Sequence, residues 1–131
     1  MSESICIEPI GIIRSPFKSP GEAPNQGSEA AGEGKLIVDE RYHDAFLGLQ
    51  AGQKIVILYW LHQAERSRLQ VHPRRDHSRP LKGVFATRSP HRPNPIAIEV
   101  VEVLEIEGTT LTVRGLDALD GTPLLDIKCE V

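Results

Sequence analysis

Residues 86–96 read "ATRSPHRPNPI" and gather two arginines, a histidine, an asparagine and three prolines. Proline fixes its own φ and biases the preceding residue away from the α region, so Pro90, Pro93 and Pro95 impose an extended course. Arg88 and Arg92 are then held at little entropic cost. A preorganised guanidinium suits a carboxylate or a phosphate. The same composition also fits a rigid connector whose arginines pair with local acids. Asn94, set between two prolines, offers an amide donor and acceptor.

Two further groups can do chemistry. His62 and Gln63 directly follow the apolar run "KIVILYWL", which places them at the end of a strand and so at a sheet rim. In "GLDALDGTPLLDIK", Asp117 and Asp120 flank a turn through Gly121, with Thr122 and Pro123 leading out. That is either an ordinary Asp-Gly turn or a set of carboxylates and backbone groups that holds ribose hydroxyls or an ammonium. His72, His77 and His91 match no zinc-ligand spacing and no H-E-x-x-H is present, so no metal is expected. The absence of G-x-S-x-G argues against a serine hydrolase of that type.

These groups must be positioned by strands. Residues 5–13 are β-branched and alternate, which predicts a first strand, with Pro9 favouring an edge or bulge. Residues 15–34, rich in Gly and Pro, predict a long irregular loop. "KLIVD" predicts a second strand. Residues 39–49 predict the single helix, capped by Asp39, with Tyr42, Ala45, Phe46 and Leu49 on its apolar face and Gly48 or Gly52 ending it. "QKIVILYWLH", "RSRLQVH" and "KGVFATR" predict three more strands. Residues 96–119 predict a hairpin turning at Glu107 and Gly108, and "TPLLDIKCE" a last strand. The fold class is therefore mainly β: a small barrel or sandwich of about eight strands with one short helix and long loops. A Rossmann unit is excluded, because strand and helix do not alternate and no G-x-G-x-x-G follows a strand.

The length of 131 residues suits one domain spanning 1–131. The start lacks a basic segment followed by a long apolar one, and no apolar run reaches about 18 residues, so a cytoplasmic, non-membrane protein is expected. Cys6 and Cys129 lie in apolar runs near the termini and are expected to be buried, reduced thiols. The net charge of −3 is unevenly spread. Residues 62–92 carry eight Lys/Arg against two acids, while the other 100 residues carry seven against sixteen. A basic stripe on an acidic protein indicates either a directed anion site or a solvated arginine-rich loop.

Taken together and in order, "IGIIRSPFK" (10–18), "HQ" (62–63), "GVFATRSPHRPNPI" (83–96) and "LDALDGTPLLDIK" (116–128) resemble the TrmO, or TsaA-like, family. The resemblance implies a β-barrel methyltransferase that uses S-adenosyl-L-methionine on a non-Rossmann scaffold. The reaction implied is N6-methylation of threonylcarbamoyladenosine beside the tRNA anticodon. It also implies a homodimer with the cofactor near the subunit interface. Carried over by motif, cofactor contacts fall on Gln26, Gly27, Ser28, His62, Gln63, Arg88, Ile98, Asp120, Gly121, Thr122 and Pro123. His62 is then the candidate base, and Arg92 the reader of the substrate's threonyl carboxylate. Asn94 is a fixed polar contact in the catalytic set. The basic segment from Arg66 to Arg92 is expected to meet tRNA. Ala97 stands where the family usually has Gly, and Cys129 follows "DIK" where it commonly has Pro. Two alternatives keep part of this reading: the same fold and cofactor with another acceptor, or a non-catalytic RNA-binding barrel.

Overall fold

A computed structural model describes residues 3–18 and 32–131. The described residues form eight strands and three short 3-10 segments: β1 (Gly11–Arg14), β2 (Gly32–Val38), β3 (Lys54–Trp60), β4 (Gln70–Val71), β5 (Lys82–Gly83), β6 (Ile96–Glu107), β7 (Thr110–Leu116) and β8 (Pro123–Cys129). Six of them close a barrel in the order β1-β2-β7-β6-β3-β8, all antiparallel, and β4 and β5 form a separate two-stranded ribbon.

Period-two alternation fills the barrel. Ile55 and Ile57 of β3, Val101 and Val103 of β6, and Leu111 and Val113 of β7 all point inward and are fully or nearly fully buried. Ile13, Leu36, Leu116 and Leu124 complete the core. In β7 the inward set steps from Val113 to Leu116 because Gly115, at φ 99°, takes a left-handed conformation that resets the alternation. At β1 the backbones come close enough that a Cβ on Gly11 would land on the Ile37 carbonyl. Gly11→Ala is therefore expected to cost about 1–3 kcal/mol through forced strand separation. A shift in the urea midpoint, with the slope unchanged, measures it.

Several sequence expectations change. The first strand begins at Gly11, not Ile5; residues 3–9 lie outside the sheet and Ile5 is 87% exposed. Pro9 has no N–H for a ladder, so pairing starts only after it. The helix over residues 40–46 is 3-10, not α, with a kink at Tyr42, although Asp39 caps it by accepting from the Arg41 N–H at 3.0 Å. Tyr42, Phe46 and Leu49 pack against the core as expected, whereas Ala45 is exposed. "RSRLQVH" forms a strand only at Gln70–Val71. "KGVFATR" is a strand only at Lys82–Gly83 and then turns through a 3-10 segment, with the Thr87 N–H on the Val84 carbonyl. Val84 is buried there, but Phe85 is 83% exposed and has no sheet neighbour to hold it extended. The hairpin turns at Gly108 and Thr109. Both cysteines are exposed: Cys6 lies in the segment outside the sheet, and Cys129 ends β8 at the barrel's rim.

Candidate active site

The connection from β3 to β6 is an excursion, residues 61–95, that carries the ribbon and the Pro-rich segment. Its two ends are neighbours, joined by the Leu61 N–H on the Pro95 carbonyl at 2.8 Å and by the last ladder pair, Trp60 with Ile96. Between the excursion and the barrel mouth lies a cleft of about 1320 Å³.

Within the excursion, the Pro-rich segment is held by its own polar groups. Arg92 Nη1 donates to the Thr87 carbonyl at 3.1 Å and the Ser89 carbonyl at 3.0 Å. Arg66 Nε donates to the Pro93 carbonyl at 2.7 Å and Nη2 to Asn94 Oδ1 at 3.1 Å, with its guanidinium 5.4 Å from the Trp60 ring centroid. His91 Nδ1 accepts from the Glu65 N–H at 3.0 Å. The two arginines of the Pro-rich segment thus divide. Arg92 spends one nitrogen on the loop, while Arg88 is exposed in the cleft and bonded to none of the described residues. His62 and Gln63 likewise make no hydrogen bond to the described residues and line the same cleft.

Of the sequence candidates, His62, Gln63, Arg88, Arg92, Ile98 and Thr122 meet at this cleft. Thr122 is buried, its hydroxyl donating to the Leu119 carbonyl at 2.7 Å. Asn94 is outside the lining and engaged by Arg66. Asp120 faces β1 instead: its carboxylate takes Lys18 Nζ at 3.0 Å, the Ser15 N–H at 3.0 Å and Arg14 Nη1 at 3.4 Å. The Lys18 hydrogen bond and then the Ser15 N–H hold it below the usual carboxylate range. Gly121 donates its N–H to the Ile13 carbonyl at 2.8 Å, and Pro123 opens β8 opposite Ile12. The turn therefore pins β1 to β8 and presents Thr122 to the cleft. Gln26, Gly27 and Ser28 lie outside the described residues.

The floor of the cleft holds a group that sequence reasoning passed over. Tyr59 on β3 donates from its hydroxyl to Asp117 Oδ1 at 2.9 Å and stands 3.5 Å from Glu99 Oε1. The Asp117 N–H donates to the same Glu99 oxygen at 3.2 Å. Glu99 is only 8% exposed. Burial first, and then the neighbouring Asp117, push its acid up to about 9, which favours the protonated form. Burial and the two carboxylates push the Tyr59 phenol up as well. The signal was available: in "IAIEVVEV" the inward positions of β6 include Val101 and Val103, and a glutamate at that period is a charge aimed into a core. Asp117 was singled out, but as part of a turn rather than as a partner of β6.

Glu99 also sets a pH dependence. The folded protein keeps a proton that the unfolded chain releases near the ordinary carboxyl range. Its stabilising share is thus complete below that range and is lost as pH rises toward 9. Glu99→Gln is expected to remove this slope, leaving the variant on the order of 4 kcal/mol more stable relative to wild type at pH 8 than at pH 4. Urea midpoints at the two pH values check this; parallel changes in both proteins would contradict it.

Among the described residues no three His, Cys, Asp or Glu are grouped to hold a metal ion, and no helix is long and apolar enough to cross a membrane.

Comparison with known proteins gives a consistent result. Residues 12–131 match the family model of the tRNA-methyltransferase O N-terminal domain. A probable S-adenosyl-L-methionine-binding protein of Methanothermobacter thermautotrophicus is 50% identical over 95% of this chain and 88% of its own length. The tRNA (adenine(37)-N6)-methyltransferase of Escherichia coli is 40% identical over 95% of this chain, which spans 57% of that enzyme. A crystal structure of TrmO from Pseudomonas aeruginosa superposes with a TM-score of 0.80 at 36% identity, covering all of this chain and 56% of that one.

Proposed function

This chain belongs to the tRNA-methyltransferase O family, and on that premise we propose that it is an S-adenosyl-L-methionine-dependent methyltransferase acting on N6 of threonylcarbamoyladenosine in tRNA. The observation that carries the reading is the convergence at one cleft of His62, Gln63, Arg88 and Thr122 with the buried Tyr59–Glu99–Asp117 group.

The residues present suit the cofactor. An unpaired guanidinium at Arg88 complements its carboxylate. Gln63 and the Thr122 turn offer hydrogen bonds for ribose and base, and Leu61 and Ile98 give apolar wall. The carboxyl group at the floor matches its cationic end. When bound, S-adenosyl-L-methionine supplies a methyl already activated on sulfur, so the protein's task is chiefly alignment. His62, exposed two residues beyond the end of β3, serves as the candidate base for the N6 proton. Arg92 keeps its guanidinium at the cleft wall, fixed by two carbonyls, to read the threonyl carboxylate. The basic face of the excursion meets tRNA phosphates.

A homodimer fits the outer wall of the barrel. The ladder sets Val56 beside Val100, Leu58 beside Ile98 and Trp60 beside Ile96, which makes an outward apolar patch on β3 and β6. Ile98 and Val100 are 49% and 45% exposed. A second copy is the natural cover for such a patch, and Ile98 would then lie at both the cofactor and the interface.

The test is methyl transfer to tRNA with and without the threonylcarbamoyl group, read by nucleoside mass spectrometry. A methyl on N6 only in the modified tRNA is expected. Cofactor binding with equal transfer to both tRNAs would point to another acceptor, and no cofactor binding would leave an RNA-binding barrel.

A further inference from the structure

Two carboxyl groups and a phenol from three separate strands or strand ends meet where the cleft enters the barrel. Tyr59 comes from β3, Glu99 from β6, and Asp117 from the residue after β7. A structural role alone would be served as well by an amide or an apolar side chain at position 99, since the group spends burial energy on an acid. The Tyr59–Asp117 hydrogen bond is nevertheless short at 2.9 Å, and no buried side-chain polar atom among the described residues lacks a partner. Both carboxyl groups line the cleft and so remain in reach of whatever binds there.

We propose that Glu99, held beside Asp117 through the Asp117 N–H and the Tyr59 hydroxyl, is a charge-sensing acid that keeps its proton in the free protein and gives it up when a cationic cofactor binds, so that the protein prefers the sulfonium cofactor to its neutral thioether product. This rests on the cofactor reading above and adds to it a residue that sets the preference.

The physics is reciprocal linkage. In the free protein, Glu99 keeps its proton because burial and Asp117 both disfavour a second negative charge. A positive charge brought beside the pair offsets that penalty and releases the proton to solvent. Methyl transfer turns the sulfonium into a thioether, which removes the positive charge and restores the pair's affinity for a proton. The ionised pair therefore binds the methyl donor better than the spent product. The ionisable neighbours on the same side are Tyr59 and Asp117; across the cleft stand His62, Arg68, His91, Arg88 and Arg92, with the ribbon's cations beyond. The excursion's cations face the pair in every liganded state, so they do not distinguish donor from product. The amino group common to both ligands titrates in either protein and is removed by comparison with a variant.

The test is calorimetric titration of the intact protein with S-adenosylmethionine and with S-adenosylhomocysteine, in two buffers of different ionisation enthalpy, from pH 7 to 9.5. Wild type is compared with Glu99→Gln, whose amide can still accept the Asp117 N–H and donate to its carboxylate. Wild type is expected to release more protons than the variant on binding the sulfonium, and no more than the variant on binding the thioether. If the cofactor charge moves Glu99 by about one pKa unit, the sulfonium affinity of wild type relative to the variant is expected to climb with pH, from almost no gain at pH 7 to nearly tenfold, ~8-fold, at pH 9.5. A second variant, Asp117→Asn, keeps a partner for Tyr59 and is expected to move the proton release to lower pH. Equal proton counts in wild type and Glu99→Gln, or an Asp117→Asn profile unmoved in pH, would overturn the proposal while leaving cofactor binding intact. Failure of both ligands to bind wild type would instead remove the reading on which it rests, and the proposal with it.

Discussion

Arg92→Ala is expected to lower turnover of the tRNA substrate by about a hundredfold or more, as the loss of charge-assisted hydrogen bonds worth about 1.5–3 kcal/mol each implies. Arg92 Nη1 bridges the carbonyls of Thr87 and Ser89, the residues on either side of Arg88. Alanine would leave two half-buried carbonyls without their donor and untie the segment that presents Arg88 to the cleft. It would also remove the guanidinium edge proposed to read the threonyl carboxylate. Arg92→Lys separates the two roles. Its ammonium can reach the loop carbonyls but cannot present a planar fork to a carboxylate at the same time. Lysine is therefore expected to recover thermal stability and most cofactor affinity, yet little turnover. Steady-state kinetics on modified tRNA, with cofactor Kd measured separately, decides the matter. Full turnover in the lysine variant would show that no fork is needed.

The second large effect concerns RNA affinity. Arg68, Arg74, Arg75 and Arg79 are exposed on the excursion. Arg68 is partly engaged by Glu65 at 2.9 Å and Arg79 by Asp76 at 3.5 Å. Exposed pairs of this kind are weak, so they yield readily to phosphate. Alanine at Arg74, Arg75 and Arg79 together is expected to reduce the dependence of log K on log salt by about 2–3 and to weaken tRNA binding about tenfold or more near physiological salt. Filter binding from 50 to 300 mM salt gives the slope directly. Arg66 is a counter-example chosen by the structure. Its Nε and Nη2 bond Pro93 and Asn94 and its guanidinium lies over Trp60, so Arg66→Ala is expected to disturb the cleft more than the salt slope. A slope unchanged by the triple substitution would place the RNA elsewhere.

Long apolar strands were legible in the sequence and the short ones were not. "KIVILYW" and the 96–107 run became β3 and β6 because alternation and β-branching persist over two or more turns of the pleat. "RSRLQVH" and "KGVFATR" alternate just as well, but each has a single short partner and no core beneath it, so pairing stops after two residues. For the site, the cleft residues His62, Arg88 and Thr122 were nameable because motifs carry them. Their union with Tyr59 and Glu99 depends on three strands meeting at one rim, which no local window contains. Asp120 shows the reverse: a conspicuous turn carboxylate whose partners, Ser15, Arg14 and Lys18, lie more than a hundred positions away.

The hydrogen bond that closes the excursion, Leu61 to Pro95, sits at the end of an unbroken ladder between β3 and β6. The barrel would keep its register if everything between those two residues were exchanged, since loop-closure entropy grows only slowly with length. The chain is thus built as a fixed chassis with one replaceable cassette. The Tyr59–Glu99–Asp117 floor of the cleft belongs to the chassis, and Gln63, Arg88 and Arg92 to the cassette. Grafting the 61–95 segment of one relative onto the barrel of another is therefore expected to move acceptor preference, with the methyl donor unchanged only where the graft keeps Gln63 and Arg88, and new acceptors could evolve by the same route.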